Sequence, residues 1–578
     1  MFGVFVFSLL AASFARAASP AQCKCFPGDE CWPSKELWDK FNTTLGGKVI
    51  ANEPLAAPCH DPNYDESRCA AVKEKWLDGG VHIQSSSSIM APLFANQSCD
   101  PFIAREIPCT LGNYPVYSVN ISNSDDVVRT LYFAWKHNIR TVVRNTGHDY
   151  LGRSTAAGSI AIWLHNLKRR EIYDWENDGY YQGKAMRVFA GVNGNEALET
   201  AKKENFVVMV AESPTVSVIG GYLQGGGHSG LSTTYGLAAD NVLEFDVITP
   251  KGRYRTASRT ENQDLYWALA GGGGGTYGVV VSATIKVHPD APVAGASFNL
   301  ALPEDSDPDL LYSAIDVWHA ELPRLVDAGL QVVYWFGDGF LQVASMTAYN
   351  MTMNQMMKTL RPVNTAFQKI SLRFSPSITS SPSYLEHYEK YSGPLPEGNI
   401  QAGTSLFGGR LIPRSVIATP EFAAAVKKIA KSDVMFIGAA MDVSKFGKDN
   451  VNSVLPAWRS SIVQASLVLP WDNEAPWEDI LARQRKITEE VQPIIEAVTP
   501  GSGAYMNEAN FQQPDWKETF YGENYERLLE IKNKFDPDES FRVTAGVGSD
   551  VWEVRNDGRM CRVEKVEEAE GQSKHDEL

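Results

Sequence analysis

Five glycines in a row, Gly271 to Gly275, restrict what this chain can fold into more than any other stretch. The run exceeds what a tight strand connection asks for, and it bares backbone N–H groups that no Cβ shields. It overlaps GGGTYG (Gly273 to Gly278), one of two literal matches to GxGxxG; the other is GGGHSG (Gly225 to Gly230). A Rossmann dinucleotide site needs strand, then glycines, then helix. Here the helix-like DLYWALA precedes the second motif and the strand-like VVVSATIKV follows it. After the first motif, LSTTYGLAADN has no apolar 3.6-residue period. That order of elements argues against a nicotinamide-type site. Two readings stand, a set of tight strand connections or a cradle for a buried diphosphate, and the length of the run favours the cradle.

RNTGHDYLGRS, Arg144 to Ser154, adds a second restriction. The preceding NIRTVV reads as a buried strand, because β-branched residues dominate it. Gly147, His148, Asp149 and Gly152 then place an imidazole in a glycine turn, with Arg144 and Arg153 close by. Taken alone, His148 reads more simply as a loop histidine bonded to its neighbours.

At 578 residues, two or more domains are expected. An apolar content of 44% marks a globular chain, and the net charge of −16 argues against nucleic acid and anionic membrane surfaces as partners. Residues 1–17 read as a signal peptide, with a short apolar stretch closed by Ala15-Arg16-Ala17. The chain ends in HDEL, an address read by the retrieval receptor of the endoplasmic reticulum, so a lumenal protein with no membrane span is expected. Seven of the eight cysteines precede residue 110 and the last is Cys561, which suits several disulfides, one of them tying the two ends together. No CxxC, HxH or HxxxH occurs, so no metal site is expected. Sequons at Asn42, Asn96, Asn120 and Asn350 would be open to glycosylation in that compartment.

Composition divides the rest. Residues 18–112 are Cys- and Pro-rich, and 113–291 alternate helix-like and strand-like runs, among them SDDVVRTLYFAWKHN, SIAIWLHNL, NEALETAKKEN and FVVMVA. Residues 292–498 form a second unit, in which LQVVYWFGDGFLQVASMTAY reads as two strands around a Gly-Asp-Gly turn. Residues 499–562 carry WKETFYGENYERLLEIKNKFDP, read as one helix, and 563–578 are a polar tail.

RNTGHD, SPTVSVIGGYLQGGGHS with YGLAADNVLEFDVIT, and YGENYERLLEIKNKFDP together resemble the berberine bridge enzyme-like flavoprotein oxidases of the vanillyl-alcohol-oxidase superfamily, fungal members of secondary metabolism above all. The resemblance runs from about Tyr114 to Trp552, and CKCFPGDECWPS is similar as well. It implies an α+β fold: a PCMH-type FAD-binding domain of two α/β subdomains, and a substrate domain whose antiparallel sheet is covered by helices. The segment 499–562 would return to the FAD domain.

The same resemblance implies FAD, joined to the protein through the ring of His148. Asn145, Thr146, Gly147, Asp149, Gly152, Arg153 and Ser154 would surround its diphosphate and ring edge. Thr215, Gly220, Gly221, Gly225, Gly226, Asp240 and Val242 would complete the cradle, with Asn524 bringing the last helix back. Ser213 stands where many relatives carry a cysteine that bonds the flavin a second time. A hydroxyl is too weakly acidic to replace that thiolate, so a single covalent link is expected. Val216 matches a gate residue that admits dioxygen. His228 would serve as a proton acceptor or as an orienting donor. Tyr505 and Asn507 would line the substrate side, Tyr505 acting as a base only if Arg or Lys lowers its phenol, and otherwise as an aromatic core residue. Asn510 of NEAN replaces an acid common in relatives.

The expected activity is an FAD-dependent oxidase that removes a hydride from a small metabolite (an alcohol, an amine or a ring-closure substrate) and reduces dioxygen to hydrogen peroxide. A carbohydrate oxidase of the same fold is the alternative within this chemistry. A lumenal binding protein without redox turnover is the alternative outside it.

Overall fold

The computed structural model describes residues 23–176, 179–300, 302, 307–447 and 451–563. The signal peptide and the terminal HDEL lie outside the described residues.

NIRTVV forms the strand Arg140–Arg144, parallel to Ser159–Trp163, which pairs in parallel with Tyr117–Asn120. Val49–Ala51 closes this first sheet on an antiparallel edge. The parallel strands need a crossover, and the helix Ser124–Lys136 supplies it, capped by the Asn123 side chain with Asp125 and Asp126 in its first turn.

The second sheet is antiparallel, in the order Arg170–Trp175, Gly183–Phe189, Val279–Lys286, Val242–Ile248, Tyr254–Ser258. Its middle strand follows the glycine run directly, and the helix Gln263–Leu269 precedes that run, so the order helix, glycines, strand is the one found. FVVMVA departs from expectation. Only Phe206–Val207 pairs, with His288–Pro289, and Val208 to Val210 leave the ladder, although buried, as the chain runs on to Glu212 and Ser213.

The third sheet has seven antiparallel strands drawn from Val293 to Pro470. Alternation sorts its faces. Val332, Tyr334 and Phe336 share a buried cluster with Trp318, Val363 and Phe422 of the covering helices, while Val333 and Trp335 point the other way, into the cavity described below. The fold is thus α+β, with this sheet helix-covered on one face.

The expected long C-terminal helix is interrupted. Trp516–Tyr521 ends at Gly522, whose φ of 54° is left-handed, and the helix restarts over Tyr525–Phe535. Disulfides join Cys23 to Cys561, Cys25 to Cys31, Cys59 to Cys69 and Cys99 to Cys109. Among the described residues, no helix is long and apolar enough to cross a membrane.

Candidate active site

A cavity of about 660 Å³ lies between the His148 turn, the glycine loops and the open face of the seven-stranded sheet. The turn is shaped by Arg144, fully buried, whose guanidinium donates to the carbonyls of His82 (3.1 Å) and Ser85 (3.3 Å). A Cβ on Gly147 would lie 2.4 Å from that guanidinium, and its φ is +86°, so only glycine turns the chain here. Asp149 fixes the rest of the turn, accepting from the N–H groups of Leu151 (3.0 Å) and Ser154 (2.7 Å).

His148 is thereby set against the cavity with Nε2 2.6 Å from the hydroxyl of Thr215, itself 3.2 Å from that of Ser213. Burial, with His82 and Arg144 nearby, pushes the imidazole down to about 4, so it is neutral at ordinary pH. Thr215 does not line the cavity; it holds the histidine ring from behind.

The floor is glycine. Gly220, Gly221, Gly274 and Gly275 line the cavity, and a side chain on Gly221 would meet nothing within 4 Å. The Gln224 carbonyl accepts from the N–H groups of Gly271 (3.0 Å) and Gly273 (2.9 Å), which joins the two glycine motifs. Asn145 anchors the floor to the Ala190 carbonyl (2.7 Å) and Ser217 (3.1 Å). Asn507 clamps it from above, donating to the Gly221 carbonyl and the Tyr505 hydroxyl, each at 2.8 Å. Asn145, Thr146, Gly147, His148, Asp149, Arg153, Ser154, Ser213, Val216, Tyr505 and Asn507 also line the cavity.

The remaining expected residues do not line it. Gly152 packs on Phe94, and Gly225 sits beneath Asn507. Gly226 is a turn residue at φ 117°. Asp240 is withdrawn because its carboxylate accepts from Arg459 (2.8 and 2.9 Å), Asn452 (2.8 Å) and the Leu237 N–H (2.8 Å). Val242 begins a strand, and its carbonyl accepts from the Tyr266 hydroxyl. Asn524 donates to the carbonyls of Ser453 and Val454, tying the C-terminal segment to the loop before the last strand of the large sheet, Ser461–Pro470.

His228 is also set back, and its proton is spoken for. Its Nε2 lies 3.0 Å from Glu508 Oε1, and its Nδ1 lies 3.9 Å from Glu212 Oε1 without a hydrogen-bond partner. Burial alone would lower its pKa, but Glu508 and then Glu212 outweigh it and raise it to about 9. An imidazolium has no lone pair to offer, so in this state His228 suits the orienting donor, one of the two roles expected from the sequence. Tyr505 likewise stays a phenol, since burial and Glu508 both push it upward and no cation lowers it. Two further carboxylates, Glu212 and Glu508, also line the cavity. Sequence reasoning missed both. Glu212 immediately precedes SPTV, and Glu508 stands inside NEAN, two positions before the asparagine noted there.

Opposite these acids the sheet presents the apolar Val333, Trp335, Phe407, Met435, Ile437 and Val468 with the hydroxyls of Ser405 and Ser466, and the adjoining segment adds Asn399, Gln401 and Thr404. Phe407 stacks on Tyr150 of the histidine turn at 4.1 Å, so the large sheet reaches the glycine-lined side directly.

A glycine bed carrying a buried neutral imidazole, roofed by an antiparallel sheet, defines a flavin-binding oxidoreductase of the vanillyl-alcohol-oxidase fold. Residues 115–258 match the FAD binding domain family, and residues 504–548 match the family described as berberine and berberine like. The FAD-linked oxidoreductase ZEB1 of Gibberella zeae is 46% identical over 550 residues, covering 95% of this chain and 97% of the relative. The crystal structure of the VAO-type flavoprotein MtVAO615 from Myceliophthora thermophila C1 superposes with a TM-score of 0.89 at 39% identity, over 94% of this chain and all of the other. A chitooligosaccharide oxidase shares the fold at a TM-score of 0.59 and 18% identity, over 75% of this chain and 92% of the other. The chain belongs to the berberine bridge enzyme-like FAD-linked oxidoreductases.

The cavity fits FAD. Bare backbone at Gly221 leaves room for a diphosphate, and the neutral His148 ring is held by Thr215 with no hydrogen bond on Nδ1 among the described residues.

Proposed function

We propose that this oxidoreductase is an oxidase acting on a small, largely apolar metabolite, with dioxygen as the electron acceptor and hydrogen peroxide as product. The reading rests above all on one arrangement: His148 and Val216 line the same cavity as the carboxylates of Glu212 and Glu508, beneath an apolar wall. Bound FAD would supply the hydride acceptor and return the electrons to dioxygen.

The chain's own residues divide the remaining work. His148, neutral and braced at Nε2, has the nucleophilic nitrogen needed for a covalent tether. Ser213 offers no thiolate, so the tether is single. Asn507 and Tyr505 hold the Gly221 backbone in place, and the apolar wall excludes water from the substrate side. The oligosaccharide alternative is disfavoured by the six apolar side chains that the sheet turns to the cavity; the polar Asn399, Gln401 and Thr404 come from one adjoining segment. Retention in the endoplasmic reticulum lumen is part of the proposal and is motivated by the two chain ends.

Acid-denatured protein should carry yellow flavin fluorescence with the polypeptide. His148→Ala should lose that bound colour and Ser213→Ala should keep it; fluorescence surviving the first change refutes the tether. Peroxide release with apolar alcohols or amines, and not with oligosaccharides, supports the substrate class. A colourless purified protein would instead support a binding protein without redox turnover.

A further inference from the structure

We propose that Glu212 is the proton acceptor of the reaction, and that it serves a hydroxyl carried on an apolar skeleton. This rests on the oxidase reading above.

The argument begins with unequal commitments. Glu508 is engaged on both oxygens, one 3.0 Å from His228 Nε2 and the other 3.4 Å from the Ser466 hydroxyl. Its charge is matched by the imidazolium. Glu212 has only a 3.3 Å contact from Gln331, and His228 Nδ1 stops 3.9 Å away. That nitrogen is buried and unpartnered, so it acts on Glu212 as a charge and not as a hydrogen-bond donor. Glu212 therefore keeps lone pairs facing the cavity, next to Ser213 and within the same lining as Val216.

Among the described residues, the ionisable groups that feel the Glu212 charge, besides those already named, are phenols. The phenols of Tyr150, Tyr222, Tyr384 and Tyr388 are all pushed upward by burial, with Glu212 adding to each. Tyr388 donates instead to the carbonyls of Ala211 (2.7 Å) and Glu212 (3.0 Å), which fixes the backbone that carries the carboxylate. Burial raises the Glu212 carboxyl itself, and the His228 cation opposes that rise. A carboxylate made more basic in this way is suited to general base work near neutral pH.

The count of acceptors selects the substrate group. An ammonium brings three N–H donors and wants several acceptors, whereas a hydroxyl brings one. One carboxylate with spare lone pairs, facing the apolar side chains of the sheet, matches the hydroxyl. The alcohol O–H bond breaks with its proton going to Glu212. The carbinol C–H pair leaves as hydride, and the carbonyl C=O forms. Two electrons and two protons then pass to dioxygen, one proton from Glu212 and one that left with the hydride, so alcohol plus dioxygen gives carbonyl plus hydrogen peroxide. His228 is a positioning residue that sets the charge state of Glu212 through space.

The test uses the flavin-loaded protein, with benzoate, benzyl alcohol and benzylamine as probes and the perturbation of flavin absorbance as the binding readout. Benzoate should weaken about tenfold per pH unit once Glu212 is ionised, because two carboxylates cannot share the spot. Glu212→Gln should flatten that slope and bind benzoate at least tenfold tighter at pH 8, while Glu212→Asp should retain the slope. His228→Gln should move the midpoint upward, which a packing defect would not do. Anaerobic bleaching of the flavin by benzyl alcohol should slow about a hundredfold or more in Glu212→Gln, with alcohol binding nearly unchanged.

Identical benzoate profiles in wild type and Glu212→Gln overturn the assignment. Wild-type flavin that benzylamine bleaches faster than benzyl alcohol overturns the hydroxyl preference, as does wild-type flavin that benzyl alcohol does not bleach. A protein purified without flavin would instead defeat the oxidase reading, so the two failures are told apart by colour before any probe is added.

Discussion

Lys532→Met is the substitution from which the C-terminal segment can be tested most sharply. The ammonium of Lys532 is 2% exposed and spends all three donors, on Asp536 Oδ2 (2.5 Å), the Thr276 carbonyl (2.7 Å) and the Phe541 carbonyl (2.8 Å). Methionine fills similar volume but leaves Asp536, wholly buried, with the N–H groups of Ser540 (2.8 Å) and Phe541 (3.0 Å) as its hydrogen-bond donors and Lys24 acting on it only through space. Breaking one side of a buried pair costs about 3–5 kcal/mol, and the two stripped carbonyls belong to the same loss. Thermal unfolding of the purified protein followed by circular dichroism measures it. Because Thr276 directly follows the glycine run, flavin absorbance should change before the bulk transition does. The double variant Lys532→Met/Asp536→Asn removes the stranded charge and should recover roughly half of the loss, about 2 kcal/mol. A single variant within about 1 kcal/mol of wild type, or a double variant as damaged as the sum of its parts, refutes the reasoning.

The other predictions concern the cavity. Gly225→Ala places a methyl 2.6 Å from the Asn507 amide; it should cost about 1–3 kcal/mol, and much less when combined with Asn507→Ala, as a double-mutant cycle of melting curves would reveal. His228 contributes stability that is full below its ordinary pKa of 6.5 and is lost as pH rises towards about 9, so unfolding free energy should fall by about 3 kcal/mol across that window. Glu508→Gln should remove most of that slope, and an unchanged slope would show that the pair does not hold the proton. Arg459→Met strands the 6%-exposed carboxylate of Asp240 and should lower stability by about 3 kcal/mol, in unfolding curves that Asp240→Asn partly restores.

Local chemistry carried a good part of the architecture into the sequence. The helix, glycine run and strand around Gly271 to Gly275 are readable because each element is specified by its own residues. The same holds for the β-branched strand before His148 and for the alternation in LQVVYWF. The interruption at Gly522 was equally written in the chain, but a continuous apolar period on both sides concealed it. The acid pair was not legible. Glu212 looks like any loop acid until the fold brings Glu508 and His228 beside it from distant segments. Asp240 shows the converse, since its partner Arg459 lies in the second unit and only folding withdraws the carboxylate from the cradle. His228 kept its place near the site but changed its protonation, because a pKa belongs to the neighbours and not to the residue.

The bond between Cys23 and Cys561 spans 538 positions of the chain. The Cys23 thiol must wait for a partner that the ribosome makes 538 residues later. Closure therefore follows synthesis of everything between the two cysteines, and until then Cys23 is open to rearrangement with its early neighbours. Once formed, the loop encloses both halves of the cavity, so a protease cut in any surface turn between them leaves a single covalent body, separable only under reduction.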